Sequence, residues 1–517
     1  MAATSRKRGR PYRPPVDHTP YAEGTGGADA RIAWLLGTTR LHAAEGRYSN
    51  RRDFVPALVE AGVNCDESRI SRWESGSTHV PLSVIAGYEQ VLELPPHRLS
   101  AIAQHISPAP AIGTGRKELT PEGHRRLDAL VDLTLDGAPS GADWLDLADI
   151  LTEHPTVYMR ADIWHDLAAR LLAELCRSLG VGYVTRLVTL RTLLIHPVVQ
   201  HHVVRAIGQF VMDPCSVRVA DAVALLQHVP GPKGTPIVMR LLGSDSEPIR
   251  HGAARAAAAM LARDDFAPEH LAELETTLPW LLSLDEQATH ASEVVRQLPP
   301  ASQERVRAAV RRPHHGLELV LKHAEIAPPD VAKSVGGGLA TEAQTHAGGP
   351  SAAEPDHLLQ RLVREALFHA HPERRSQAAT LLMASGFREG ISRACGHLLG
   401  SDGGATGVPV ARLLQWCFAT RELPIVFGAA VGGVRGPGDG VRVHALHAMG
   451  HLPQRLSVQQ AQLLAAGIGD ADQRVVDATL YALGMHGRSD VVGQDSHAPR
   501  VRELHRWWSE TGERLLG

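Results

Sequence analysis

Apolar residues recur every three to four positions along most of the chain, which is the spacing of one face of an α-helix. Near the N-terminus this pattern predicts four or five short helices within a small domain at 31–100. The first four are expected at about 31–41, 50–62, 66–76 and 81–94. Strand signals are scarce, with few alternating β-branched runs and no Asn-Gly or Asp-Gly turn. The pattern therefore predicts an all-α protein.

Segments of low apolar content divide the chain further. Residues 1–30 are basic and rich in Pro and Gly, and they predict a disordered basic arm. Residues 107–121 predict a linker, and 327–355, which include three consecutive glycines, predict a flexible linker. Between and beyond these linkers lie two expected helical arrays, at 122–326 and 356–517.

The arrays contain a weak internal repeat, in which each copy has apolar residues near its two ends and small residues in its middle. Its copies lie at 199–208, 249–258, 441–450 and 475–484, with a poorer copy at 374–383. Small residues let helices approach closely, and a stack of helix pairs buries faces that one pair leaves exposed. The pattern resembles HEAT-like repeats and implies an α-solenoid; an irregular Ala-rich helical domain is the alternative. A last helix carries Trp507 and Trp508, either as a cap on the array or as a dimer contact.

Composition narrows the class of protein. The chain has 517 residues and a formal net charge of −3, which excludes a protein that binds polyanions over its whole surface. Its five cysteines are scattered without a C-x-x-C pair, so neither a disulfide framework nor a cysteine-rich zinc site is expected. No apolar run is long enough to span a membrane. These features predict a cytoplasmic protein without a membrane contact.

The most informative segment is the predicted helix near 66–75. Ile70 and Trp73 are three residues apart and share one face, which we expect to dock on Phe54 and Leu58 of the preceding helix, before the turn residue Gly62. The opposite face would present short hydroxyls and arginines suited to base edges and phosphates in the major groove. The candidate DNA-binding residues on and after this helix are Ser68, Arg69, Ser71, Arg72, Ser75, Ser77 and Thr78.

The string I-S-R-W-E-S-G, which ends at Gly76, resembles the recognition helix of Cro/repressor-like (XRE-type) helix-turn-helix regulators. The resemblance covers about 31–100. It implies sequence-specific binding of double-stranded DNA, usually by a homodimer. The alternative is a helical hairpin used for protein contact.

The basic arm adds a second candidate contact. Arg8, Gly9 and Arg10, followed by a proline, resemble the core of an AT-hook, which lies in the narrow minor groove of A·T-rich DNA. A solubilising basic tail is the alternative reading of the same residues.

No motif for catalysis, a cofactor or a metal centre emerges. The chain has 29 histidines, including His444, His447 and His451 on one helical face, but no H-E-x-x-H or paired Cys/His motif. Solvated or groove-lining histidines are the simpler interpretation. We therefore predict a non-enzymatic transcriptional regulator whose arrays oligomerise or bind a protein partner or small-molecule effector. A protein-interaction scaffold is the main alternative, and an enzyme acting on DNA is a third.

Overall fold

The computed structural model describes most of the chain. The described ranges are 12–23, 26–43, 46–107, 118–284, 288–311, 314–348, 355–401, 406–432, 439–492 and 498–515. They contain 27 α-helices and, within these ranges, no strand beyond two isolated bridges. The prediction of an all-α fold is confirmed. None of the helices within these ranges is both long and apolar enough to cross a membrane.

Five helices form the N-terminal domain. They are α1 (Ala28–His42), α2 (Arg51–Glu60), α3 (Glu67–Glu74), α4 (Leu82–Val91) and α5 (Ser100–Ile106). Their shared core contains Trp34, Phe54, Ile70 and Tyr88, each without measurable exposure or nearly so. The domain thus extends a few residues beyond the predicted 31–100 at both ends, because α1 begins earlier and α5 packs on α4.

Twelve helices follow as the first array. They are α6 (Pro121–Asp136), α7 (Gly141–Glu153), α8 (Ala161–Arg177), α9 (Gly180–Ile195), α10 (Gln200–Met212), α11 (Val219–Ala224), α12 (Thr235–Leu242), α13 (Glu247–Ala262), α14 (Leu271–Ser283), α15 (Ala288–Gln297), α16 (Pro300–Ala309) and α17 (His315–His323). Alternate helices pack on each other, as in α11, α13, α15 and α17. These helices enclose an apolar core of their own.

Ten more helices form the second array. They are α18 (Pro329–Ala347), α19 (His357–Phe368), α20 (Pro372–Ala384), α21 (Arg388–Ser401), α22 (Gly407–Cys417), α23 (Leu423–Ala430), α24 (Asp439–Gly450), α25 (Val458–Ala465), α26 (Gln473–Met485) and α27 (Pro499–Thr511). Short 3₁₀ helices lie at Leu225–His228, Gly231–Gly234, Pro268–His270, Thr420–Glu422, Ala466–Gly469 and Ser489–Val491. The core of this array is continuous with that of the N-terminal domain.

The prediction of a flexible linker at 327–355 is wrong for most of that segment, because residues 329–347 form α18. This helix packs on α19 and α21, and it buries Leu339 together with several alanines. Its glycines and alanines permit that close approach. Low apolar bulk predicts a linker, but small side chains also suit tightly packed helices. The last residues of the predicted linker, 349–354, lie outside the described ranges.

The prediction of a disordered arm is also wrong for residues 12–23. The backbone of this segment is held by side chains of the second array: Arg361 donates to the carbonyls of Asp17 and Thr19 at 2.6 and 2.5 Å. The Tyr21 hydroxyl donates to Glu325 at 2.9 Å. Hydrogen bonds to arginine order a stretch that has few apolar residues of its own. Residues 1–11, including Arg8, Gly9 and Arg10, lie outside the described ranges, as do 108–117 of the predicted linker at 107–121.

The two arrays meet at both ends of the second one. At its start, the Ile326 amide donates to the Phe368 carbonyl at 2.9 Å, and the Ala370 amide donates to the Ala324 carbonyl at 2.7 Å. At its end, the Leu515 amide donates to the Arg177 carbonyl of α8 at 2.9 Å. The second array therefore turns back along the first, so that α26 lies against the start of α11 and α20 lies against α15.

Each copy of the sequence repeat lies within or at the start of a helix, namely α10, α13, α20, α24 or α26. Close packing of small residues is clear in α13, where a Cβ at Gly252 would lie 2.5 Å from the Ala220 carbonyl oxygen. The assignment of these helices to a HEAT-like solenoid stays a prediction. Near the C-terminus, Trp507 and Trp508 are buried within the chain, and the Trp508 ring packs on Gly484 of α26.

Candidate nucleic-acid interface

Helix α3 is fixed at its start by a side-chain cap and along its length by two apolar anchors. The Asp66 carboxylate accepts a hydrogen bond from the Arg69 amide at 2.7 Å, which satisfies one of the free amides of the first turn. Ile70 has no exposed surface and Trp73 is 8% exposed. Both join a core with Phe54 and Leu58, as the apolar spacing predicts.

The turn before α3 and the end of α3 both depend on glycine. Gly62 has φ of +85° and follows α2, where the Val63 amide donates to the Leu58 carbonyl at 2.9 Å. Gly76 has φ of +72° after α3, and the Ser77 amide donates back to the Arg72 carbonyl at 3.1 Å. Both are left-handed helix ends, which residues with a Cβ adopt at a cost. These two turns set the direction in which α3 enters and leaves the domain.

The outward side of α3 presents most of the predicted DNA-binding residues to solvent. The structure exposes Ser68, Arg69, Arg72, Ser75, Ser77 and Thr78, and leaves Ser71 half-buried. The Arg69 guanidinium donates to the Asn64 carbonyl at 2.7 Å. The Arg72 guanidinium has no hydrogen bond or ion pair with any residue that the structure describes. One arginine is thus held by a backbone carbonyl, while the other is exposed and has no partner among the described residues.

A shallow depression lies beside this face of α3. It has a volume of about 650 Å³ and is bounded by Arg69, Arg72, Thr78 and His79, with the turn after α2 as its far wall. The Ser75 and Ser77 hydroxyl oxygens are 3.0 Å apart, just beyond the last turn of the helix. The Arg69 and Arg72 side chains and Thr78 therefore border a concave, solvent-open surface, with the Ser75 and Ser77 hydroxyls at the end of α3.

Glu74 is not among the predicted binding residues, but it fixes the position of α3. Its carboxylate is completely buried and accepts two hydrogen bonds from Arg40 of α1, at 2.5 and 2.8 Å. It also accepts one from Arg51 of α2 at 2.9 Å and one from Tyr88 of α4 at 3.3 Å. Burial and the Glu74 charge raise the pKa of Tyr88 well above its usual value, so this hydroxyl stays protonated and donates.

The carboxylate of Glu74 therefore joins α3 to α1, α2 and α4 of the N-terminal domain. In the sequence, the only signal for this role of Glu74 was that it is the acidic residue of the I-S-R-W-E-S-G string. Its partners Arg40, Arg51 and Tyr88 lie in other helices, so no local pattern indicates them. A buried bidentate pair of this kind fixes orientation more than it adds stability, since both charges lose their hydration.

The N-terminal domain is held against the second array by a second buried ionic cluster. Arg31 of α1 donates to Asp17 at 2.9 Å and to Glu365 of α19 at 2.7 Å. Glu365 also accepts from Arg374 of α20 at 2.8 Å. Although burial opposes ionisation, the surrounding arginines lower the pKa of Glu365 to about 2. The carboxylate is therefore charged at neutral pH and pairs with α1.

The first array contacts the same domain where α9 packs on α5, and also where His97 Nε2 lies 3.2 Å from an Asp146 carboxylate oxygen of α7. Arg191 of α9 donates to three carbonyls at the end of α5, those of Gln104, His105 and Ser107, at 3.2, 3.2 and 2.9 Å. A guanidinium satisfies free carbonyls at a helix C-terminus and interacts favourably with the helix dipole. The N-terminal domain is thus fastened to both arrays while α3 keeps its outer face open.

Comparisons with known proteins add little to this geometry. No protein-family model and no curated protein matches the chain. Among solved structures, the crystal structure of an engineered protein from a structural genomics consortium is similar over 71% of this chain and 98% of its own, with 16% sequence identity and a TM-score of 0.21. At these values the similarity carries no argument about function.

The structure also bears on the histidines. Among the residues that it describes, no group of three or more His, Cys, Asp or Glu side chains is arranged to hold a metal ion. His444, His447 and His451 share the inner side of α24 and the residue after it, and each is half-buried. His451 is hydrogen-bonded to the Gln415 carbonyl at 2.6 Å and to the Tyr481 hydroxyl at 3.0 Å.

Proposed function

We propose that this protein is a sequence-specific, double-stranded DNA-binding transcriptional regulator that inserts α3 into the major groove. The observation that carries the proposal is the contrast between the two sides of α3. One side is anchored by Ile70, Trp73 and Glu74. The other presents Arg69 and Arg72, which border an open depression, together with exposed serine hydroxyls.

The chemistry of these side chains suits base and phosphate recognition. An arginine on a rigid helix can donate bidentately to guanine O6 and N7, and serine can reach base edges or phosphates. Ser77 and Thr78, just beyond Gly76, would contact phosphates and set the register of the helix. Arg8, Gly9 and Arg10 precede the anchored segment at 12–23, and we propose that they add minor-groove contacts.

The arrays would then mediate oligomerisation or regulate DNA binding. The resemblance to Cro/repressor-like proteins implies a homodimer on a palindromic or repeated site, since protein symmetry is matched by operator symmetry. The ion pair of Arg31 with Glu365 and the hydrogen bonds of Arg191 to backbone carbonyls link the domain to both arrays. A partner or effector bound by an array would therefore act on the orientation of α3.

Selection of duplexes from a random library, with the full chain, tests the proposal. We expect an enriched motif, and an affinity for it that falls steeply as the salt concentration rises. Arg69→Ala and Arg72→Ala should each cost about 1–3 kcal/mol of binding free energy. Arg125→Ala, on the exposed surface of α6, is the matched control and should change nothing.

Two results would contradict the proposal. One is enrichment of no motif, which would favour a protein-interaction scaffold. The other is an enriched motif whose binding neither α3 variant weakens, which would move the DNA contact elsewhere on the chain.

A further inference from the structure

Contacts between the two arrays bring a set of charged side chains together, and we call the space that these residues border the interarray groove. Its charged lining consists of Arg218, Asp221, Arg255, Glu293, Arg375 and Arg412. Two contacts cross between the arrays here: Arg218 donates to the Tyr481 hydroxyl at 3.2 Å, and Arg375 donates to Glu293 at 2.7 Å. Arg218, Arg255 and Arg412 are half-buried, so each keeps part of its surface open to water.

Positive charge exceeds negative charge in this lining. Arg218 and Arg255 share the single carboxylate of Asp221, at 2.7 and 2.8 Å. Arg375 and Arg412 have only Glu293 between them. Four guanidinium groups thus face two carboxylates, which leaves a surplus of two positive charges. Glu373, which also acts on Arg255, lies beside Arg191, so including that pair leaves the surplus unchanged.

Arg412 is the least satisfied of these groups. Among the residues that the structure describes, its guanidinium donates to one acceptor, the Leu367 carbonyl at 2.8 Å. Burial and the neighbouring Arg375 lower the pKa of Arg412 to about 9, although Glu293 opposes the shift. A desolvated cation with one neutral partner is costly unless an anion approaches it.

A neutral histidine, His444, supplies a further donor next to Arg412. The Gln415 side-chain nitrogen lies 2.8 Å from His444 Nδ1, so Nδ1 accepts and the proton of the neutral ring is on Nε2. Burial and Arg412 lower the pKa of His444 to about 3, so the ring is neutral at pH 7. Across the groove, His251 stacks on His290 with ring centroids 3.7 Å apart. Within the described part of the chain, His444 Nε2–H has no acceptor.

We propose that the interarray groove is a binding site for a small molecule that bears a phosphate or diphosphate group, held by Arg412, Arg255 and His444. A surplus of two positive charges matches a phosphate dianion, and planar guanidinium groups donate to phosphate oxygens in pairs. The ligand would contact both arrays, because Arg255 belongs to the first and Arg412 and His444 to the second. This site does not depend on the proposed DNA-binding function.

Isothermal titration calorimetry of the full chain with inorganic phosphate and with pyrophosphate, in a low-chloride buffer at pH 7.5, tests the site. We expect one pyrophosphate per chain and a raised thermal midpoint in its presence. Arg412→Gln and Arg255→Gln should each weaken binding at least tenfold. Arg125→Gln, on exposed α6, is the matched control and should bind like the unaltered protein.

Several outcomes would overturn the proposal. One is that the unaltered protein binds neither anion. Another is that both groove variants bind pyrophosphate as tightly as the unaltered protein does. A third is that Arg69→Ala loses anion binding, which would place the anion on α3 instead. If Arg412→Gln fails to fold by circular dichroism, Arg255→Gln and His444→Phe decide. Both groove variants should keep their DNA affinity without anion, so failure of this site and failure of the proposed function are distinguishable.

Discussion

The indole Nε1 of Trp34 donates a hydrogen bond to the carboxylate of Asp356 at 2.8 Å, across 322 residues of sequence. Both side chains are buried. The same carboxylate accepts the Leu359 amide at 2.9 Å and so caps the first turn of α19. One acidic group therefore begins a helix of the second array and holds α1 of the N-terminal domain against it.

Removing the donor tests this contact. Trp34→Phe keeps an aromatic ring beside Phe387 but leaves a buried carboxylate one hydrogen bond short. A bond to a charged group contributes about 1.5–3 kcal/mol, so we expect a loss of that size. Thermal unfolding and hydrogen exchange of the α1 amides would measure it. Trp280→Phe on α14, where the ring is 45% exposed, is the control, and an equal loss there would contradict the assignment.

Glu74→Gln tests the buried cluster behind α3. The variant leaves Arg40 buried without its carboxylate partner, and breaking such a pair costs about 3–5 kcal/mol. We expect faster hydrogen exchange and proteolysis in α3, together with weaker DNA binding if the proposed function is right. Glu122→Gln removes an exposed partner of Arg125 and should leave both measurements unchanged. Unaltered protection of α3 in Glu74→Gln would show that the cluster does not hold the helix.

Two glycine substitutions test the close packing around α18. A Cβ at Gly390 of α21 would lie 2.5 Å from the Ala343 carbonyl oxygen of α18, and the backbone cannot move aside cheaply. We expect Gly390→Ala to destabilise the protein by about 1–3 kcal/mol. Gly338 is exposed within α18 and has nothing within 4 Å of its Cβ position. Gly338→Ala should therefore stabilise by about 0.5–1 kcal/mol, because alanine favours the helix.

Chemical denaturation of both alanine variants measures these effects. Similar effects of the two would mean that 329–347 do not form a packed helix.

Acidification tests the desolvated histidines. Burial and Arg218 lower the pKa of His447 and of His451 to about 3. The unfolded chain has the ordinary histidine pKa near 6.5, so it binds more protons than the folded chain below that pH. The stability present above pH 6.5 is therefore lost as the pH falls towards 3. We expect a loss of about 1–2 kcal/mol per histidine at pH 5.

Urea unfolding at pH 7 and pH 5 measures this dependence. His447→Gln should reduce the difference between the two midpoints, whereas His124→Gln on the exposed surface of α6 should leave it as it is. If His447→Gln leaves the difference between the pH 7 and pH 5 midpoints unchanged, the acid sensitivity belongs to other groups.

The local pattern of the sequence was enough to predict the helices themselves. Apolar residues at helical spacing predicted an all-α chain, and the alternation of Ile70 and Trp73 with serines and arginines predicted which side of α3 faces solvent. Asp66 and Gly76 also marked the ends of that helix within a few residues. These features depend on neighbours within one or two turns, so the sequence alone carries them.

Tertiary structure decided how the helices assemble and which charges are buried. The glycines and alanines of 329–347 suit a linker or a tightly packed helix equally well, and only contact with α19 and α21 distinguishes the two. Arg31 and Glu365 are 334 residues apart, and Arg412 meets the groove only because the second array turns back on the first. Partners so distant leave no local pattern, since their pairing arises from the packing of the whole chain.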